Sequence, residues 1–211
     1  MDAVKNLYIV RHGQTDYNLK RIVQGRSINA SLNETGNTQA KHFFDAYKNI
    51  KFEAIYASSL LRSQQTIASF VDGKIPYYED PLLDEISWGD YEGKAPSAEK
   101  RSEFEAMLSK WDEGETDFRM PNGESADDLH NRVKDFLTDL AKTNDETILI
   151  CSHGRTIRLI LCELTGIPIS KMLTYNPDNL GLYQLNWMPN NLASIVKQND
   201  LTHFNNSSDF D

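Results

Sequence analysis

Three short, mostly apolar segments, each followed at once by polar side chains, set the pattern of the chain. They span residues 7–10, 53–57 and 147–151. Segments of this kind are typical of strands that are buried on both faces of a parallel sheet. Arg11 and His12 follow the first segment, and His153 follows the third. We therefore expect these side chains at one edge of the sheet, where open α/β folds bind ligands.

Helical patterns, with apolar residues three and four positions apart, alternate with these segments. Helices are predicted from a cap at Thr35 to about Tyr47, from a cap at Ser59 onward, over 97–111, from Ser125 to Leu140 and directly after His153. The Ser125 helix opens with the spacing of a capping box. Residues 180–187 and 193–198 are predicted to form a final hairpin. This alternation predicts the α/β class.

Two long stretches lack a regular pattern. Residues 14–34 form a polar loop that leaves the predicted site, and loops of this length inside compact domains are often functional. Residues 94–123 interrupt the alternation of strands and helices and are interpreted as an excursion that covers a site. We predict one domain over residues 1–204, because no repeat or linker is present, and a polar, frayed tail over 205–211.

Composition narrows the classes of function. The chain has 211 residues, 25% of them charged, and a formal net charge of −9. This charge argues against nucleic acid or an anionic membrane as the main partner. An anionic substrate would have to bind at locally clustered Arg and His. No apolar segment is long enough to cross a bilayer, and none has the pattern of a signal peptide. Cys151 and Cys162 lie in apolar surroundings, so we expect both to be reduced. Together these features predict a cytoplasmic protein.

The basic residues after the strands point to anion chemistry. Arg11 has a fork of N–H donors suited to phosphate, and His12 is a base that titrates near neutral pH. Arg62 lies in the first turn of a predicted helix, where a cation opposes the helix dipole and a bound anion removes the conflict; the alternative is an exposed arginine kept for solubility. His153 precedes a helix N-terminus, which favours anions.

Other chemistries find less support in the sequence. No two histidines lie one helical turn apart, so a metal site is not predicted. The chain also has no Gly-x-Ser-x-Gly elbow and no P-loop. In the turn-rich segment 76–93, Asp84 and Glu85 are flanked by apolar residues and are candidates for a general acid. A turn whose acids have no function is the alternative.

Taken together, the motifs resemble those of the histidine phosphatase superfamily, which includes cofactor-dependent phosphoglycerate mutases. The matching stretches cover nearly the whole chain in the family's order. They are Arg11-His12-Gly13-Gln14-Thr15-x-x-Asn18, Ser58-x-Leu60-x-Arg62-x-x-x-Thr66, Leu83-x-Glu85-x-x-x-Gly89-x-x-Glu92-Gly93, Ser152-His153-Gly154-x-x-Ile157-Arg158 and Asn199-Asp200-x-x-His203.

The resemblance implies a role for each matching residue. His12 would be the nucleophile that becomes phosphohistidine, and Glu85 the proton donor of the phosphoglycerate mutase-like branch. The acid phosphatase branch would need Asp at position 154, where this chain has Gly154. The residues implied in binding the phosphoryl group or substrate are Arg11, Thr15, Asn18, Gln24, Gly25, Arg62, His153 and Gly154.

The resemblance also implies a three-layer α/β/α sandwich with a mostly parallel central sheet, and a reaction without metal or cofactor. The mutases carry a longer insert with adjacent arginines, whereas residues 94–123 offer only Lys100-Arg101 as an adjacent basic pair. This difference favours a phosphatase of small phosphorylated metabolites. A mutase remains an alternative, and a weakly catalytic module that binds a phosphoprotein is an alternative of another class. The oligomeric state is left open.

Overall fold

The computed structural model describes residues 3–95 and 97–205 and contains a six-stranded sheet. The strands are β1 (Lys5–Arg11), β2 (Ala54–Ala57), β3 (Tyr77–Glu79), β4 (Thr147–Ser152), β5 (Leu182–Trp187) and β6 (Ser194–Asp200). The helices are α1 (Asp16–Leu19), α2 (Glu34–Tyr47), α3 (Leu61–Ile67), α4 (Ala98–Glu113), α5 (Ala126–Ala141) and α6 (Gly154–Thr165). Short 3₁₀ turns occur at Ala68–Phe70, Pro81–Leu83, Gly89–Tyr91, Ile169–Thr174 and Thr202–Phe204.

The strand order is β3-β2-β4-β1-β5-β6. Strands β3, β2, β4 and β1 run parallel, and β5 and β6 form an antiparallel hairpin at the β1 edge. The three strands predicted from the sequence, β1, β2 and β4, are therefore parallel neighbours at the centre of the sheet. Their carboxyl ends lie together, as predicted.

Two apolar cores cover the two faces of the sheet. In β1, Leu7 and Ile9 pack into the core beneath α5 and α6, while Tyr8 and Val10 pack into the core beneath α2 and α3. This alternation follows from the two-residue period of a strand. The α/β/α sandwich with a mostly parallel sheet is confirmed. In the described part of the chain, no helix is long and apolar enough to span a bilayer.

Several local predictions were wrong. The cap of α2 is Asn33, whose side chain accepts from the Gly36 N–H at 2.9 Å, and not Thr35. Helix α3 begins after Leu60 without a side-chain cap, because the Ser59 hydroxyl is bonded to Asp84 instead. Strand β3 and the single turn α1 were not predicted. The capping box of α5 is present as predicted.

Candidate active site

The carboxyl ends of β1 and β4 bring two histidines together. Arg11 pairs in register with Ser152, and the His12 N–H donates to the Ser152 carbonyl at 3.0 Å. Each histidine is the next residue after its strand, so the His12 and His153 rings lie with their centroids 5.0 Å apart. Both side chains are buried.

His12 is held as a neutral imidazole with one bare nitrogen. Its Nδ1 lies 2.8 Å from the carbonyl oxygen of Gly13. A carbonyl only accepts, so Nδ1 carries the proton and Nε2 keeps its lone pair. Burial lowers the pKa of His12 well below its usual value, and the positive charges of Arg62 and Arg11 lower it further.

Arg62 is fully buried, which excludes the exposed, solubilising arginine. Its guanidinium donates to the carbonyls of Ile28 at 2.6 Å and Gly25 at 3.3 Å, and Nε donates to His153. Burial lowers its pKa to about 10, so it stays protonated at neutral pH. Of its five N–H donors, two are left for a ligand within the described part of the chain.

A relay of hydrogen bonds fixes the ring of His153. Arg62 Nε donates to its Nδ1 at 3.2 Å, so Nε2 carries the proton and donates to Ser58 Oγ at 2.7 Å. Ser58 Oγ in turn donates to Asp84 Oδ1 at 2.8 Å. Burial is the main cause of the lowered pKa of His153. The resemblance implies contact between His153 and a phosphoryl oxygen, but both ring nitrogens are bonded to protein groups here.

The loop after β1 places three further predicted residues close together. Thr15 caps α1, and its hydroxyl lies 3.1 Å from Gln24 Oε1. Asn18 Oδ1 accepts from the Thr15 N–H at 3.1 Å. The carbonyl ends of the Asn18 and Gln24 amides are thus turned to Thr15, which leaves their NH₂ groups to donate to an anion. Asn179, which sequence reasoning missed, donates to the His12 carbonyl at 2.7 Å.

Glu85 lies at the N-terminus of α6. Its carboxylate accepts from the Arg155 N–H at 3.2 Å and from the Thr156 N–H at 3.3 Å. Asp84 points the other way, and its carboxylate accepts from the Ser59 N–H at 2.9 Å. Adjacent residues in extended backbone face opposite sides, so only one of the two carboxylates faces the histidines.

Arg11 faces Glu85 across Gly154. A Cβ atom at Gly154 would lie 3.7 Å from both Arg11 Nε and Glu85 Oε2. Arg11 Nη1 donates to the Pro177 carbonyl at 2.9 Å, while its buried Nε has no partner among the described residues. A second cation and a carboxylate thus lie beside the histidine pair.

Gly25, which is predicted to contact the substrate, packs here against two site residues of the protein. Its carbonyl accepts from Arg62, and a Cβ atom there would lie 2.3 Å from Glu92 Oε1. Glu92 also accepts from the Ser27 N–H at 2.9 Å. Gly25 therefore lets the loop pack closely against Glu92 and hold Arg62.

Two arginines beside Glu85 were not predicted as site residues. Buried N–H groups of Arg155 and Arg158 have no partner within the described ranges. Arg155 lies over the Trp88 ring at 5.6 Å, and burial together with the charge of Arg158 lowers its pKa to about 9. Arg158 was visible in the family pattern, whereas nothing in the sequence marked Arg155.

Arg132 was missed as well. Its guanidinium donates to the carbonyls of Leu82 at 3.0 Å and Asp84 at 3.3 Å, and Nε donates to Glu124 at 3.0 Å. It fixes the backbone that presents the two carboxylates. The contact joins residues nearly fifty positions apart, so no local pattern signals it.

Over residues 3–95 and 97–205, no three His, Cys, Asp or Glu side chains cluster in a way that would hold a metal ion. The chemistry available at the site is instead a bare imidazole nitrogen, several guanidinium groups and a carboxylate. Such a set suits an in-line attack on a phosphoryl group.

Comparison with known proteins settles the family. The family model of the histidine phosphatase superfamily (branch 1) matches residues 7–201. The chain belongs to this superfamily. A member from Hydrogenobacter thermophilus is 31% identical over 95% of this chain and 98% of its own length. Phosphoserine phosphatase 1 of the same organism is 27% identical over 93% of each chain.

One solved structure shares the fold, and a mutase is related in sequence. The α-ribazole phosphatase of Shigella flexneri superposes with a TM-score of 0.79 at 25% identity, over 92% of this chain and 96% of that one. A 2,3-bisphosphoglycerate-dependent phosphoglycerate mutase of Bartonella henselae is 28% identical over 83% of this chain and 94% of its own. These findings confirm the predicted family and support its assignment as a phosphoric monoester hydrolase.

Proposed function

We propose that the chain is a phosphatase that hydrolyses a small phosphorylated metabolite through a phosphohistidine on His12. The observation that carries the proposal is the bare Nε2 of a buried, neutral His12 that lies beside Arg11 and Arg62, with the Glu85 carboxylate near Arg11. Phosphatases of small molecules among the relatives, such as phosphoserine phosphatase 1, support the same class of substrate.

In the first step, His12 Nε2 attacks phosphorus in line with the ester oxygen. The N–P bond forms as the P–O bond to the leaving group breaks, and Arg11 and Arg62 stabilise the charge on the equatorial oxygens. Asn18 and Gln24 supply further amide donors. Glu85 gives its proton to the leaving oxygen, which departs as an alcohol.

In the second step, water attacks the phosphohistidine. The Glu85 carboxylate takes a proton from the water, the N–P bond breaks and inorganic phosphate leaves. Backbone N–H groups at the N-terminus of α6 hold the Glu85 carboxyl group in place for both proton transfers.

His153 acts as a positioning residue in this scheme. Its Nδ1 accepts from Arg62 Nε and holds the guanidinium beside His12. Direct contact with a phosphoryl oxygen, as the resemblance implies, would require a ring nitrogen to leave Arg62 or Ser58. We propose the indirect role, through Arg62, as the main one.

A phosphoglycerate mutase is the second candidate, favoured by the identity with the Bartonella henselae enzyme. The two activities are separated by incubation with 3-phosphoglycerate and 2,3-bisphosphoglycerate. We expect phosphate release with little 2-phosphoglycerate, because residues 94–123 are shorter than the insert of the mutases and lack its adjacent pair of arginines. Interconversion without phosphate release would favour the mutase.

The test of the proposed function is phosphate release from a panel of sugar phosphates, phosphoglycerates, phosphoserine and nucleotides. We expect release from at least one small phosphomonoester, equal with and without a chelator, since the proposed reaction uses no metal. Binding of a phosphoprotein with no release from any compound would favour the binding module.

We also propose a cytoplasmic location, on the composition given above.

A further inference from the structure

A cavity of about 530 Å³ lies between the loop after α1, the segment after the Gly89–Tyr91 turn and the start of α4. We call it the cationic cavity, since five basic side chains line it together with Phe104. They are Lys20, Arg21, Lys94, Lys100 and Arg101. Its volume falls within the range of small-molecule sites. None of these cations has a role in the proposed phosphoryl transfer.

The five cations of the cationic cavity have no side-chain partner among residues 3–95 and 97–205. None of them forms a salt bridge or a side-chain hydrogen bond with another residue in the described part of the chain, although acidic residues outnumber basic ones by 31 to 22. By contrast, Lys110 on the same helix pairs with Glu115 at 2.9 Å. Among the described residues that line the cavity, Glu105 is the one acidic side chain against five basic ones, and Glu103 is bonded to the hydroxyl of Tyr91 in its wall.

Arg21 enters the lining of the cavity from a tight turn after α1. Arg21 has φ +54°, in the left-handed region that favours glycine or asparagine. It follows the short helix α1, and its N–H donates to the Asn18 carbonyl at 3.1 Å. This turn leads the chain from α1 to Val23, so Lys20, Arg21 and Val23 all line the cavity.

The cationic cavity borders the candidate active site. Val23 lines the cavity, and the next residue, Gln24, reaches Thr15 in the site. On the other side, the Phe104 ring packs on Trp88 with centroids 4.8 Å apart, and Arg155 lies over the same Trp88 ring. One aromatic layer thus separates the cavity from the residues around Glu85.

We propose that the cationic cavity is a second anion-binding site, which takes a small organic anion with more than one negative charge. The cations bind the anionic group, and Phe104, Tyr91 and Val23 pack against an apolar part of the ligand. Two sources share this chemistry, the remote end of the substrate and a separate effector. Binding of the remote end of the substrate rests on the proposed phosphatase function. The existence of the second site does not depend on that function.

The test uses pyrophosphate as the probe, titrated by calorimetry into the full chain with orthovanadate saturating the active site. We expect one binding site, weakened at least tenfold in Lys100→Ala/Arg101→Ala and again in Lys20→Ala, which lies on a different segment. The matched control Lys51→Ala/Lys134→Ala removes two lysines outside the cavity whose side chains form no ion pair with the described residues, and it should change the affinity less than twofold. Absence of binding, or equal weakening in both double variants, would overturn the proposal.

Kinetics then identify the source of the anion. If it is the remote end of the substrate, Lys100→Ala/Arg101→Ala raises KM for fructose 1,6-bisphosphate at least tenfold relative to fructose 6-phosphate. If it is an effector, pyrophosphate changes nitrophenyl phosphate hydrolysis by the unchanged protein and not by the variant. If the protein hydrolyses no phosphomonoester, the proposed function is wrong, but the second anion-binding site is not affected. The pyrophosphate titration is then carried out without vanadate.

Discussion

At the scale of residues, two adjacent carboxylates have separate tasks. Asp84 is bonded to the hydroxyls of Ser58 and Ser59, and Glu85 is bonded to backbone N–H groups at the start of α6. Asp84 thereby orients Ser58, which fixes the tautomer of His153. This division of roles makes the two variants distinguishable by experiment.

We expect Glu85→Gln to slow hydrolysis most for substrates with poor alkoxide leaving groups, because their departure needs a proton. A loss of about 10²- to 10⁴-fold in kcat is typical for removal of a general acid. Nitrophenyl phosphate should be affected less in the phosphorylation step, measured as the burst of nitrophenol. Asp84→Asn should lower kcat by a similar factor for all substrates. If instead the loss in Asp84→Asn depends on the leaving group, then Asp84 and not Glu85 is the general acid.

Arg62 offers a second prediction at this scale. Arg62→Ala should weaken vanadate inhibition at least tenfold, because it removes a buried charge-assisted donor. Arg62→Lys should restore only part of the affinity, since lysine cannot reach Ile28, His153 and an oxyanion together. Inhibition constants against nitrophenyl phosphate provide the measurement, with thermal unfolding as a check that each variant folds. Unchanged inhibition in Arg62→Ala would refute the role.

At the scale of elements, helix α2 is packed tightly against the loop that carries His12. A Cβ atom at Gly36, in the first turn of α2, would lie 2.1 Å from the backbone oxygen of Gln14. Gly13 in turn has no room for a side chain, because its Cβ would lie 2.8 Å from the Gly36 carbonyl. The two glycines let the helix and the loop that carries His12 meet backbone to backbone.

Gly36→Ala should therefore lower the free energy of unfolding by about 2 kcal/mol, a typical cost of overpacking, even though alanine favours helix. Gly154→Ala is the matched control, since its Cβ meets nothing closer than 3.7 Å at the start of α6. That variant should be neutral or slightly stabilising. Urea unfolding measures both, and equal stabilities of the two variants would contradict the close packing.

The sequence predicted correctly those features that depend on interactions between residues close together in the chain. Buried strands, the capping box at Ser125 and the positions of His12 and His153 at strand ends all follow from a few neighbouring residues. The prediction of a helix cap at Ser59 was wrong because the Ser59 hydroxyl donates to Asp84, 25 positions away. For the same reason the contacts of Arg132 and Arg155 were out of reach, since they arise only when distant segments pack together.

At the scale of the whole molecule, the fold keeps three of its five histidines buried with a lowered pKa. Burial is the main cause in each case, and His203, which packs against α2, has a pKa of about 4. An unfolded histidine binds a proton near pH 6.5, whereas these three stay neutral when folded. Below that pH the unfolded state therefore binds more protons and is favoured.

We expect the free energy of unfolding to fall by about 2 kcal/mol or more between about pH 7 and about pH 5. Urea unfolding followed by fluorescence and by circular dichroism measures it. Coincident transitions would also support the prediction of one domain over residues 1–204, which stays a prediction. Stability that is equal or higher at the lower pH would contradict burial of neutral histidines.

The central claim is the phosphohistidine, and rapid quench with ³²P-labelled substrate tests it most directly. During turnover the account predicts a phosphoenzyme that is stable in base and labile in acid, with the label on His12 by peptide mapping and no label in His12→Ala. Label on a serine, cysteine or aspartate, or an equally labelled His12→Ala, would contradict the account.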